Sequence, residues 1–326
     1  MSFKNKRILI TGGTGSFGRK CAEILLREYD VGTVIIFSRD ERKQRNMAEE
    51  FGAQRGRIRF FMGDVRDKKR LHRALNGVDI VIHAAALKQV PAAEFNPIEA
   101  IKTNIDGASN LIDACIDMNV SKVIALSTDK AVNPLNLYGA TKLCSDKLFV
   151  AANSYAAEEN TIFSVVRYGN VLGSRGSVVP LFRKMKSTGR LPVTDERMTR
   201  FWITLEQGAR FVLERFADMQ GGEIFIPKIP STRIIDLAKA ICPECVIDLV
   251  GIRPGEKLHE LMLPEDEARN SYEFSEYYVI APAFDGCESR SGACAGKPVP
   301  ENFSYGSDSN PWFLDVDEIS GLLKDM

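Results

Sequence analysis

The 326-residue chain has no surplus of either charge, because 43 Lys and Arg balance 43 Asp and Glu. That excludes the strongly basic surface by which proteins hold nucleic acid or an anionic membrane, and it points to a small-molecule partner. No apolar run approaches the roughly 18 residues needed to cross a bilayer, so no membrane-spanning helix is expected. The start, Met1-Ser2-Phe3-Lys4-Asn5-Lys6-Arg7, runs into a strand without a secretory apolar region, and a cytoplasmic location is expected. An even cysteine set is also missing. Seven cysteines in a long chain, with Cys21, Cys115 and Cys144 inside helical patterns, read as reduced thiols and not as a disulfide framework. Cys242-Pro243-Glu244-Cys245 has the spacing of half a zinc ribbon, but six residues separate Cys287 from Cys294, so no metal site is expected. There is no internal repeat.

What remains is ordinary for a globular protein, 44% hydrophobic and 26% charged, and its order is informative. Short apolar runs at Arg7 to Ile10, Thr33 to Phe37, Ile58 to Met62, Asp79 to Ile82, Val123 to Leu126 and Phe163 to Tyr168 alternate with helical patterns. This alternation predicts an α/β fold, a Rossmann-type doubly wound parallel sheet. The alternation stops at Tyr168. Residues 1–168 are therefore expected to form a dinucleotide-binding domain, with part of 201–228 packing back on it. Residues 169–284 are expected to form a smaller substrate domain, and 285–326, rich in Gly, Ser, Pro and charge, a loop or mobile tail with a last short helix from Val316 to Leu323.

Thr11-Gly12-Gly13-Thr14-Gly15-Ser16-Phe17-Gly18 lies between the first strand and the first helix. Glycines there let the backbone turn tightly and approach a pyrophosphate, which sits on the free N–H groups of the helix. Gly12, Thr14, Gly15, Ser16, Phe17 and Gly18 are the expected cofactor contacts. After the second strand the chain offers Ser38 and Arg39, then Arg42 and Lys43, which suit a 2′-phosphate and favour NADP, while Asp40 keeps NAD open. Asp64, with Val65, can meet the adenine or cap the helix beginning near Lys68. His83 reads as a packed histidine, Ala84 and Ala85 leave room for the nicotinamide ribose, and Lys88 is a candidate sugar contact.

The densest chemistry runs from Ser127 to Lys142, Ser-Thr-Asp-Lys-Ala-Val-Asn-Pro-Leu-Asn-Leu-Tyr-Gly-Ala-Thr-Lys, starting at the carboxyl end of a buried strand. Tyr138 and Lys142 are four apart and share one helix face. A cation beside the phenol would lower its pKa from about 10 and let it accept a proton from a sugar hydroxyl. Thr128, Asp129 and Lys130 stand next to them. Further on, Asn170, Arg175, Arg183, Arg197, Arg200 and Arg253 supply polar groups and cations, of which a diphosphate would need a few. Arg253-Pro254-Gly255-Glu256-Lys257 implies a rigid turn between a strand and a helix.

The glycine loop with Tyr138-x-x-x-Lys142 resembles the extended short-chain dehydrogenase/reductase superfamily. Within it, Ser127 to Lys142, Val166-Arg-Tyr-Gly-Asn-Val-Leu-Gly-Ser-Arg-Gly-Ser177, Met198-Thr-Arg-Phe-Trp-Ile203 and Arg253-Pro-Gly-Glu-Lys-Leu-His-Glu260 resemble the configuration-inverting UDP-N-acetylglucosamine 4,6-dehydratases that open pseudaminic acid synthesis. The resemblance spans residues 7 to about 283. It implies that Tyr138, aided by Lys142, takes the 4-hydroxyl proton while C4 gives hydride to NADP. Lys130 then removes the C5 proton and Asp129 assists loss of the 6-hydroxyl as water. It also implies Arg253, Glu256 and Arg175 at the uridine diphosphate, and a homo-oligomer, expected to be a hexamer. A neutral Lys130 would need its pKa lowered by burial or by a cation such as Lys142. The competing readings are a retaining 4,6-dehydratase, a UDP-sugar 4-epimerase, which needs no acid/base pair at C5 and C6, and a non-catalytic NADP-binding sensor.

Overall fold

The computed structural model describes residues 3–156, 161–173, 177–282 and 295–324. Apolar, β-branched segments bounded by glycine or polar turns form the strands β1 (Arg7–Thr11), β2 (Thr33–Ser38), β3 (Ile58–Met62), β4 (Ile80–His83), β5 (Lys122–Thr128) and β6 (Ile162–Tyr168). They pair in parallel in the order β3-β2-β1-β4-β5-β6, and Ile224–Pro227 extends the parallel set. Tyr277–Ile280, Ser271–Glu273 and Lys297–Pro298 add an antiparallel edge to complete ten strands. The strand order reverses between β1 and β4, the place where doubly wound sheets open a crevice at their carboxyl ends. Thr11 and His83, the last residues of those two strands, pair across it.

One large apolar core fills both faces of this sheet, and a second, containing Phe182, Leu191, Trp202, Leu237, Leu314 and Ile319, lies beyond it. The second core is framed by the sheet Ser231–Arg233, Thr199–Ile203, Asn170–Val171 and by the pair Val246–Leu249 with Arg190–Val193.

Four local expectations differ from the structure. The described part of 285–310 is more than a loose segment: Lys297–Pro298 is the sheet edge, and Tyr305–Gly306 pairs with Leu261–Leu263. Aromatic packing explains this, since Tyr305 is buried against Phe201 and Tyr278. No helix follows Arg253-Pro-Gly. The carbonyls of Lys257 and Leu258 accept from the buried Arg200 guanidinium at 2.9 and 3.1 Å, which holds this stretch extended into Leu261–Leu263. The spacing of apolar residues from Ile98 to Met118 predicts one long helix, but a π turn at Lys102–Asp106 lies between the helices Pro97–Ile101 and Gly107–Asp117. Finally, Cys21, Cys115 and Cys144 are free as expected, but Cys242 and Cys245 are disulfide-bonded, their Cα atoms 5.3 Å apart and so within bridging range. No group of three or more His, Cys, Asp or Glu able to hold a metal occurs among the described residues, and no helix among them is long and apolar enough to cross a membrane.

Candidate active site

The glycine loop follows β1 and leads into the helix Ser16–Glu28, whose N-cap Gly15 has no side chain to cover the free N–H groups and whose first turn carries no acid. Gly12 takes φ +63°, and a Cβ there would lie 2.9 Å from the backbone of Ala84 and Ala85. That close approach is organised by Thr11, whose hydroxyl accepts from the Ala84 and Ala85 N–H groups at 3.1 and 3.2 Å and meets His83 Nδ1 at 2.8 Å. Burial together with the Lys142 charge lowers the His83 pKa to about 3, so His83 is a neutral packing residue. Gly18 carries the helix against the loop, since a Cβ there would meet Gly13 Cα at 2.5 Å. A Gly18→Ala change is therefore expected to destabilise the chain by about 1–3 kcal/mol through overpacking, with a matching drop in melting temperature. The bare helix start and the tight turn at Gly12 fit a dinucleotide pyrophosphate.

At the end of β2, Ser38 is buried and accepts from Gln44 Nε2 through both its hydroxyl and its carbonyl. Arg39 is half exposed and 3.5 Å from Asp64. Asp40 caps the helix Glu41–Glu50 by accepting from the Lys43 N–H at 2.9 Å, and its carboxylate also pairs with the Lys43 amine at 3.1 Å. Asp64 is not a helix cap. It binds Arg66 at 2.7 Å, whereas Asp67 caps the helix Lys68–Leu75 by accepting from the Arg70 N–H. Val65 is buried and packs at Gly107. Lys88 is exposed on the loop after β4, and that loop is pinned at Leu87, whose N–H and carbonyl bond the Asn104 amide at 2.8 and 2.9 Å. Asn104 sits in the π turn and also donates to Thr141 at 3.0 Å, so the bulge ties the loop to the catalytic helix.

That helix, Leu137–Ala152, starts at Asn136, whose side chain accepts from the Gly139 N–H. A Cβ on Gly139 would fall 2.1 Å from the Lys130 carbonyl, so the helix presses directly on the turn after β5. Tyr138 is nine-tenths buried beside Thr128, and Lys142 lies one turn on, 3.4 Å from Ser145 Oγ. Burial raises the Tyr138 phenol to about 12, against the pull of Lys130 and Thr128. Lys130, on the turn after β5, is thus a cation that favours the ionised phenol, in addition to the Lys142 expected from the helix spacing. Burial lowers the Lys142 amine and raises the Asp146 carboxyl, which accepts from Ser127 at 2.5 Å.

Thr128 donates to Asp129 Oδ1 at 2.9 Å, and Lys130 Nζ reaches the same oxygen at 3.0 Å. Asp129 is fully buried, and its Oδ2 has no hydrogen-bond partner among the described residues. Asn170 Oδ1 accepts from Lys130 at 3.4 Å, which brings that expected substrate contact against the expected catalytic amine. The expectation that Lys130 has a lowered pKa is not met. Burial does lower it, but the carboxylates of Asp129 and Glu260 outweigh burial and the Arg200 charge, and the amine is held well above the ordinary lysine range. Glu260, 2% exposed and 3.3 Å from Lys130, was missed in the sequence because nothing in its spacing separates it from a surface acid.

Arg253 and Glu256 form an exposed pair at 3.7 Å on a loop whose Gly255 carbonyl accepts from Asn136 Nδ2 at 2.8 Å, which sets them beside the start of the catalytic helix. Arg175 lies outside the described residues. Arg200 is buried and committed to carbonyls, Arg183 to the Leu323 carbonyl and Arg197 to Asp195, which leaves Arg253 as the available member of that set among the described residues.

A family model for polysaccharide biosynthesis proteins matches residues 8–282. The chain is 56% identical to a UDP-N-acetylglucosamine 4,6-dehydratase (inverting) of Campylobacter jejuni, over 98% of each chain. It is 42% identical to a UDP-glucose 4-epimerase of Rickettsia felis, over 85% of this chain and 83% of that one. The crystal structure of Pen from Bacillus thuringiensis superposes with a TM-score of 0.90 at 36% identity, over all of both chains. The chain belongs to the polysaccharide biosynthesis protein family.

Proposed function

We propose that this protein is a hydro-lyase that converts UDP-N-acetylglucosamine to a 4-keto-6-deoxy sugar nucleotide, with inversion at C5. The observation that carries this reading is the pair of the buried Asp129 and the partly buried Lys130, 3.0 Å apart and next to Tyr138. A 4-epimerase needs one acid/base group at O4, and Tyr138 supplies it. A second acid/base pair has work only if protons must also leave C5 and reach the 6-hydroxyl.

The bound nicotinamide cofactor supplies the chemistry of accepting a hydride from C4 and returning it to C6. The chain supplies the rest. Tyr138 takes the 4-hydroxyl proton, with Thr128 beside it and Lys142 one turn on along the same helix face. Lys130 takes the C5 proton, made acidic by the 4-ketone, and Asp129, whose Oδ2 has no hydrogen-bond partner among the described residues, delivers a proton to the departing 6-hydroxyl. Arg253 and Glu256 hold the uridine diphosphate, with Asn170 and Lys88 toward the sugar, and Arg175 belongs to the same proposed set. Gly12, Thr14, Gly15, Ser16, Phe17 and Gly18 hold the pyrophosphate, Asp64 and Val65 the adenine side, and Ala84 and Ala85 the nicotinamide ribose.

NADP is the proposed form. Asp40, the acid nearest the end of β2, is engaged as a helix cap and as the partner of Lys43, while the Arg39 guanidinium is half exposed at the strand end. Arg39→Ala is expected to weaken NADP binding at least about tenfold and leave NAD binding within about twofold, measured by calorimetric titration. The resemblance also supports a cytoplasmic homo-oligomer, a hexamer, serving the first step of pseudaminic acid synthesis, and light scattering after size exclusion tests the assembly.

Mass spectrometry of the product tests the reaction class. Loss of one water from UDP-N-acetylglucosamine supports a dehydratase. An isomer of unchanged mass would make the protein an epimerase.

A further inference from the structure

Glu260 has no role in the chemistry above, yet it is a buried carboxylate in the middle of it. Its backbone is fixed on both sides by Ser307, whose hydroxyl accepts from the Glu260 N–H at 2.9 Å and whose own N–H donates to the Glu260 carbonyl at 2.8 Å. Ser307 is in turn bonded to Thr199 at 2.7 Å. The side chain therefore has one direction to point, into a cluster of three cations: Lys130 at 3.3 Å, Arg200 at 3.7 Å and Lys257 at 3.8 Å. A buried carboxylate persists only when charges of the opposite sign surround it in this way.

The charged and titratable groups facing Lys130 come from each element packed on it. They are Asp129 from its own turn, Tyr138 from the catalytic helix, Arg200 from the strand Thr199–Ile203, and Lys257 and Glu260 from the stretch before Leu261–Leu263. An ammonium has three N–H groups, and here three acceptors lie around it: Asp129 Oδ1, Glu260 Oε1 and Asn170 Oδ1. Such an amine has no lone pair to offer until one proton leaves.

We propose that Glu260 is a positioning residue for the elimination: it keeps the resting Lys130 amine protonated and aimed at Asp129, so that Lys130 becomes a base only by passing a proton to Asp129. Asp129 is the nearer acceptor, at 3.0 Å, and Glu260 also faces Arg200 at 3.7 Å and Lys257 at 3.8 Å. One proton moves from Nζ to the Asp129 carboxylate with no change in net charge. The neutral amine then takes the C5 proton, the electron pair of that C–H bond forms the C5–C6 double bond, and the C6–O bond breaks. The Asp129 proton leaves with the hydroxyl as water, and the ammonium and carboxylate of the resting state are restored. The inference rests on the dehydratase reading and adds to it the group that sets the starting charge of Lys130.

The test is the titration of Lys130, followed by the carbon-13 shift of its Cε in lysine-labelled protein and assigned by the signal missing from Lys130→Arg. In wild type the amine is expected to stay charged from about pH 7 to about pH 10, and in Glu260→Gln its midpoint is expected to fall by at least about one unit, a tenfold change in acid constant. The alkaline limb of the dehydration rate of Glu260→Gln should fall with it, whereas a merely structural loss lowers the rate at every pH without moving a limb. An unmoved midpoint in Glu260→Gln, or a neutral Lys130 in wild type at about pH 7, overturns the proposal. If Glu260→Gln does not fold, Asp129→Asn leaves Glu260 as the sole carboxylate on Lys130. An amine still charged at about pH 9 then supports the proposal, and one already neutral there overturns it. Wild-type turnover measured in parallel separates the two levels, because a wild type that releases no water from UDP-N-acetylglucosamine defeats the dehydratase reading while the titration still judges Glu260.

Discussion

Tyr138→Phe is expected to lower the dehydration rate at least about a thousandfold, with cofactor and nucleotide still bound. Only the phenol hydroxyl is removed, and the neighbouring Thr128 keeps its hydrogen bond to Asp129, so the fold should tolerate the change. Oxidation at C4 comes first in the sequence of steps, so the variant should also fail to reduce its nicotinamide and fail to exchange the proton at C5. Sign matters for the pH dependence. Burial raises the phenol to about 12 in the ligand-free site, so at neutral pH it is protonated and must lose that proton to act as a base. The wild-type kcat/KM should therefore rise with pH through the neutral range, and the residual rate of Tyr138→Phe should not. A variant that still forms a C4 ketone at more than about a tenth of the wild-type rate would remove Tyr138 from the base role.

Lys130→Arg should separate the two halves of the reaction. A guanidinium keeps the charge that Asp129 and Glu260 expect, so the buried carboxylates are not left unpaired, but it cannot give up its proton to become a base. Oxidation at C4 should proceed while loss of water falls about a hundredfold to ten-thousandfold. The signature is near-ultraviolet absorbance of reduced nicotinamide that builds on adding substrate and persists. Release of water at the wild-type rate would mean that another group takes the C5 proton.

The candidate site residues that depend on backbone shape were legible in the sequence, because a strand, a glycine loop and a helix can be read in order. Gly12 to Gly18 and the run from Ser127 to Lys142 lie at the carboxyl ends of β1 and β5, where the alternation placed them. What could not be read was anything that depends on two distant segments meeting. Glu260 reaches Lys130 across 130 residues, through a stretch whose helical look is overridden by Arg200 binding its carbonyls. The charge of Lys130 follows from that meeting, which is why a lowered pKa was expected and a raised one is found. Asn104 is similar: its apolar sequence neighbours predict burial, but the π turn that aims it at Leu87 and Thr141 leaves no mark on a 3.6-residue period. The chain after 294 read as a tail because it is polar, while Tyr305 and Ser307 are buried by partners at 201, 260 and 278.

The most direct measurement is proton NMR of purified protein with UDP-N-acetylglucosamine in deuterated water, with no cofactor added. The expected product is a 4-keto-6-deoxy sugar nucleotide carrying deuterium at C5, with the couplings of the L-arabino configuration. That one spectrum requires retained cofactor, loss of water and inversion together. The D-xylo configuration would contradict the inversion, and the galacto epimer of the substrate would contradict dehydration and leave Asp129 and Lys130 without their proposed work.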